Sequence, residues 1–155
     1  MILRILVLSL ITLYLSGCST PKDALPYPLT ISEEGLGSIH PNTPFNQLNS
    51  SLSGFTFEKL SRVSPDQNQL IFQLKRGKML IADIVSDSSG KKIAEIQIVS
   101  PLIKNKNHQG LGDQLPMSKT LRCKNDLCYY ENEPSLHYRI DLNTQIIQEI
   151  TFSRL

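Results

Sequence analysis

Two cysteines five positions apart, Cys123 and Cys128, are the residues best placed by type and spacing to do chemistry. In an oxidising compartment so close a pair reads first as a disulfide. Zinc, with His108 and His137 as further ligands, is the competing reading, and free thiols are the third. Against zinc, four residues between the cysteines is at the wide end of metal spacing, and no second pair exists. No metal or cofactor is therefore expected. A disulfide closing so short a loop would contribute roughly 2 kcal/mol, which is local stapling.

Three histidines, His40, His108 and His137, are the available bases. His137 alternates with Arg139 and Asp141 on the polar side of a strand pattern, where a solvated cross-strand role is expected. His40 and His108 sit in Pro/Gly/Asn-rich stretches and would act together only if the fold joined them. Nucleophilic catalysis needs a base beside the nucleophile and a third group orienting that base. The chain has no Gly-x-Ser-x-Gly turn and no His-Glu-x-x-His helix. Adjacent Glu33 and Glu34 would point to opposite faces of an extended chain, so they do not form an acid/base pair. Gly35-Leu36-Gly37 and Gly110-Leu111-Gly112 lack the third glycine of a dinucleotide loop and a Walker lysine, and so read as turns or close backbone approaches. The expectation is a protein that is not an enzyme, with an uncharacterised hydrolase as an alternative.

The elements that must position these residues are mostly strands. Leu70, Phe72 and Leu74 alternate with polar neighbours before an Arg76-Gly77 turn, and residues 79–85 continue as a largely apolar strand. Residues 93–99, 136–142 and 146–153 alternate likewise, which predicts half-buried antiparallel strands joined by hairpins. One helix is predicted over residues 43–52. Thr43 would be its N-cap and Pro44 its first position, with Phe45, Leu48 and Leu52 on one face and Gly54 past its end. The predicted class is α+β, mainly antiparallel sheet with that short helix packed on it. The recurring Gly-Leu-Gly, and the similar apolar placement in 93–100 and 147–153, admit a pseudo-duplicated unit or chance similarity among strands. A second candidate helix, 117–121, is barely one turn.

At the N-terminus, Arg4 precedes an apolar run over residues 5–14 that is too short to span a bilayer. Leu15-Ser16-Gly17-Cys18 follows, and it resembles the lipobox of bacterial lipoproteins. The resemblance implies acylation of Cys18, cleavage after Gly17 and stable anchoring by two or three acyl chains. Ser19, rather than Asp, resembles an outer-membrane sorting signal. Residues 1–17 are then signal peptide, 18–29 a lipidated cysteine with a proline-rich tether reaching roughly 35 Å, and 30–155 a single domain facing the periplasm.

Leu29-Thr30-Ile31-Ser32-Glu33-Glu34-Gly35-Leu36-Gly37, followed by Thr43-Pro44-Phe45, resembles the domain start of a family of small enterobacterial envelope proteins, the sigma-E-regulated lipoproteins. Gly110-Leu111-Gly112, the cysteine pair and a final alternating strand are similar to that family too. The segment between Gly112 and Cys123 is short by comparison. The resemblance implies an envelope-stress lipoprotein of unknown biochemical activity and carries over no catalytic residue.

Sixteen basic side chains balance fourteen acidic ones, and only Arg4 is lost with residues 1–17, so the net charge falls from +2 to +1. That balance, with no Trp, argues against nucleic-acid binding. The candidate binding surface is the polar loop over residues 104–114, carrying Lys104, Lys106, His108, Gly110 and Gly112; a solvated insertion is its plainer reading. A non-catalytic role with an envelope protein partner is the first expectation, and a lysozyme-type enzyme inhibitor is the rival. The sequence does not address oligomeric state. Intact-mass analysis of the purified mature protein is expected to show Cys18 at its N-terminus with acyl chains attached; an unmodified thiol there would contradict the lipobox reading.

Overall fold

A computed structural model describes residues 29–60 and 69–153. The lipobox, the signal segment and the proline-rich tether lie outside the described residues. Among the described residues, eleven strands run in chain order: β1 (Thr30–Ser32), β2 (Gly35–Leu36), β3 (Thr56–Leu60), β4 (Ile71–Arg76), β5 (Met79–Ser86), β6 (Ile93–Ile98), β7 (Lys104–Asn105), β8 (Leu121–Lys124), β9 (Leu127–Tyr130), β10 (Glu133–Ile140) and β11 (Ile147–Ser153). Eight of them form one antiparallel sheet in the order β3-β4-β5-β6-β11-β10-β9-β8, and β2-β1-β7 form a second, small sheet.

The period-two stretches become the long central strands. Their apolar positions, among them Leu74, Ile84, Ile96, Ile150, Phe152, Leu136 and Tyr138, are buried on one face of the large sheet. Ile31, Leu36, Ile39, Phe45, Leu48, Ile103 and Leu115, from the small sheet and the loops, join them in one apolar cluster. The other face carries a continuous cross-strand row: Glu58, Gln73, Asp83, Gln97, Thr151, His137, Tyr129 and Arg122 stand opposite one another from β3 to β8.

The structure corrects the α+β expectation: the molecule is almost entirely antiparallel β. Where a helix was predicted over 43–52 there is a 3-10 turn, Phe45–Gln47, followed by a single α turn, Leu48–Ser51. The hydroxyl of Thr43 does not cap a helix; it accepts the backbone N–H of His40 behind it (3.0 Å). Asn46, Ser51 and Ser53 belong to residue types that compete with helix hydrogen bonds, and Ser51 Oγ donates back to the Gln47 carbonyl (3.1 Å). Phe45 and Leu48 are nonetheless buried as their spacing required, and Phe45 meets Phe72 of β4 edge-on at 5.0 Å between ring centres. A stripe of two residues is filled by one turn as well as by a longer helix.

Residues 117–121 form no helix either; Leu121 opens β8. The large sheet is two four-stranded meanders, β3-β4-β5-β6 and β8-β9-β10-β11, whose last strands, β6 and β11, are the two similar segments and pair antiparallel, as a pseudo-duplicated unit would place them. Gly35 and Leu36 make a strand of the small sheet, whereas Gly110 to Gly112 lie in a loop after β7. Gly35 must be glycine: its φ is +124°, and a Cβ there would fall 2.1 Å from the Ile39 carbonyl oxygen.

Candidate functional site

The segment expected to be a free polar loop is built into the fold at its start. Lys104 and Asn105 form β7, which runs parallel to β1 with Thr30 opposite Lys104 and Ile31 opposite Asn105. Asn105 is 2% exposed and is the hub of the segment. Its Oδ1 accepts the backbone N–H groups of Asn107 and Gln109, both at 2.9 Å. Its Nδ2 donates to Gln109 Oε1 and to the Tyr138 hydroxyl, again at 2.9 Å. Tyr138 stands on the inner face of β10, so one side chain closes the loop and fastens it to the main sheet. Burial pushes the Tyr138 phenol far above its ordinary pKa, so it acts here as a neutral hydroxyl.

The cationic residues are tied as well. Lys104 Nζ donates to Asp113 Oδ2 (2.5 Å), which also accepts the Gly110 N–H (2.8 Å). These bonds hold the Asp113 carboxyl below its usual range. Lys106 forms an ion pair with Glu133, whose side chain is nearly fully buried. A Cβ on Gly110 would lie 2.5 Å from the Ile103 carbonyl, so this glycine serves close backbone approach. Gly112 N–H donates to the Ile147 carbonyl (2.9 Å), joining the end of the loop to β11. What remains outward is a hydrogen-bonded tip: Asn107 and His108 are exposed, with His108 at φ +62°, while the Lys106 ammonium beside them is held by Glu133.

The other chemistry-bearing residues are dispersed. His40 Nδ1 lies 3.1 Å from the Glu34 carbonyl oxygen in a different loop. Glu33 and Glu34 diverge: the Glu33 carboxylate accepts the Ser135 N–H (2.9 Å) and Oγ–H (2.6 Å), clamping the β1–β2 turn onto β10, while Glu34 is exposed. Cys123 and Cys128 face each other across β8 and β9 and are joined as a disulfide, S–S 2.08 Å.

His137 faces a shallow depression of about 240 Å³ on the outer sheet face, lined by Glu95, Leu127, Arg139, Glu149, Thr151 and Ser153. Ser153 Oγ is 3.4 Å from His137 Nδ1. Of the two carboxylates there, Glu149 is engaged by other groups. Glu149 accepts from Thr151 Oγ1 (2.9 Å) and Arg139 Nε (3.3 Å), and Arg139 also donates to Asp126 (2.7 Å). Among the described residues, the His137 imidazole shows no hydrogen bond to a carboxylate of the kind a Ser-His-acid relay requires. Asp83 Oδ1, on the same face, is buried and has no hydrogen-bond partner among the described residues. The hub Asn105 and the buried Glu133 carried no signal in the sequence: one is an asparagine in a polar run, the other a glutamate in a turn-like stretch.

No protein-family model matches the chain, and no curated protein sequence matches it. Among solved structures it is similar to the uncharacterized protein yfeY from Escherichia coli, a crystal structure, with a TM-score of 0.62 over 81% of this chain and 99% of that one. At 15% identity the likeness is one of fold.

Burial, and secondarily the nearby Glu149, raise the pKa of Glu95. A carboxyl raised in the folded state binds its proton more tightly there. Folding therefore loses stability as pH climbs from the ordinary carboxylate range through the raised value. Replacing Glu95→Gln is expected to stabilise at about pH 7, by less than about 1 kcal/mol because the group is half exposed, and to change little at about pH 3. Urea denaturation at both pH values checks this; equal stability of the two proteins at the higher pH would contradict it.

Proposed function

We propose that this chain is a non-catalytic envelope lipoprotein whose β-domain, tethered at the outer membrane, binds an envelope protein through the tip of the 104–113 loop. The observation that carries the binding surface is the Asn105 hub. A buried side chain making four hydrogen bonds presents Lys106, Asn107 and His108 in one conformation, and such pre-organisation lowers the entropic cost of association. The lipid anchor and the periplasmic address rest on the Leu15-Ser16-Gly17-Cys18 motif. Dispersal of His40, His108 and His137 to three separate places supports a binding role over a hydrolase.

The test is in-cell photo-crosslinking of the lipidated protein with the reactive group at position 108, and at Ser88 in the β5–β6 turn as a control. A discrete protein adduct specific to position 108, identified by mass spectrometry, is expected. Identical adducts at both positions, or none at 108, would contradict the assignment of the loop.

A further inference from the structure

The exposed apolar side chains are not scattered. Neighbouring strands of the large sheet all run antiparallel. The ends of β4, β6, β8 and β10 and the starts of β5, β9 and β11 therefore share one end of the sheet. Among the described residues, six large apolar side chains are exposed: Val99, Leu102, Met117, Leu127, Leu142 and Ile146. Val99 and Leu102 follow β6, Leu127 opens β9, and Leu142 and Ile146 lie in the β10–β11 turn, so five belong to that one end on four adjacent strands. Met117 follows Leu115, whose N–H donates to Gln145 of the same turn (2.9 Å). Among the described residues the opposite end carries none; its β5–β6 turn reads Asp87-Ser88-Ser89-Gly90-Lys91-Lys92.

Charge does not separate the two ends: Lys91 and Lys92 at the far end are exposed and have no ion pair among the described residues. At the apolar end Asp126 is bound to Arg139, and Asp141 accepts the N–H groups of Asn143 and Thr144 (3.0 and 2.8 Å). Lys78 and Lys124, exposed in the β4–β5 and β8–β9 turns, have no ion pair among the described residues. The chain also arrives here. With Thr30 opposite Lys104 in the parallel β1–β7 pair, Leu29 comes level with Ile103, next to Leu102.

From this coincidence we infer that the end of the sheet bearing Leu102, Leu142, Ile146, Lys78 and Lys124 rests on an anionic phospholipid surface. The inference builds on the lipid-anchor reading. Apolar side chains enter the headgroup boundary while the two lysines meet its negative charge. A patch this small needs no strong affinity of its own, because ten residues between Cys18 and Leu29 hold it beside the bilayer. Leu102 at 46% and Leu142 at 64% exposure are the side chains with most to gain.

The chain contains no Trp, so Leu142→Trp, Leu102→Trp and, at the far end, Ser88→Trp each create a single reporter at an exposed position. The lipidated variants are reconstituted on phosphatidylethanolamine/phosphatidylglycerol vesicles with and without brominated acyl chains. Emission from position 142 or 102 is expected to shift to the blue and to be quenched about twofold or more by the brominated lipid, while position 88 is unaffected. Lys78→Glu with Lys124→Glu should reduce that quenching. Equal response at both ends, or none at 142 and 102 while the protein floats with the vesicles, would overturn the proposal. A second arm replaces residues 1–18 by a histidine tag on nickel-chelating lipid. Quenching there reads the patch even if Cys18 proves unmodified, so failure of the anchor and failure of the patch remain distinguishable.

Discussion

An eight-stranded sheet with one apolar face must bury that face against something, and here the cover is made of short pieces. The three-stranded β2-β1-β7 sheet and the loops around it supply Ile31, Leu36, Ile39, Ile103 and Leu115, all fully buried. None of these pieces is long enough to hold itself in place. Polar fastenings set their position instead: Asn105 to Tyr138, Glu33 to Ser135, and Lys106 to the buried Glu133. Each is made between groups that would be costly to bury alone. The same bonds that seat the cover therefore also fix the outward tip of the loop.

Much of the sheet was legible because its longest strands have one dry face and one wet face, and period-two alternation reports that directly. The cysteine pair was legible for a similarly local reason, since five positions are spanned by one tight hairpin. The short strands were not. In Leu121-Arg122-Cys123-Lys124 only Leu121 is buried, so no alternation marks β8. β7 is two residues whose place depends on a partner more than seventy positions earlier. The predicted helix failed because its apolar pattern was real but its interior residue types were not helical ones. Tertiary burial of Phe45 and Leu48 needed only a turn. The candidate loop was found as a polar insertion, whereas its anchoring residue was invisible, because Asn105 differs from Asn107 only in what the fold sets against it.

On the outer face a row of polar and charged residues crosses all eight strands. Some cross-strand neighbours there pair, as Glu58 with Lys75 and Glu149 with Arg139 do, while Asp83 Oδ1 stays without a partner among the described residues. Among the described residues, apolar exposure is concentrated instead at one end of the sheet, beside the point where Leu29 enters the fold. The molecule thus has distinct directions: a dry interior, a wet face, an apolar end and a hydrogen-bonded loop tip.

Native-state hydrogen exchange tests most directly whether the cover is fastened through Asn105. The account predicts that the Asn105 and Gln109 amides exchange nearly as slowly as those of β10 and β11, and that Asn105→Ala frees them while those strands keep their protection. Rapid exchange of the Gln109 amide in the unmodified protein, at the rate of an unattached loop, would contradict it.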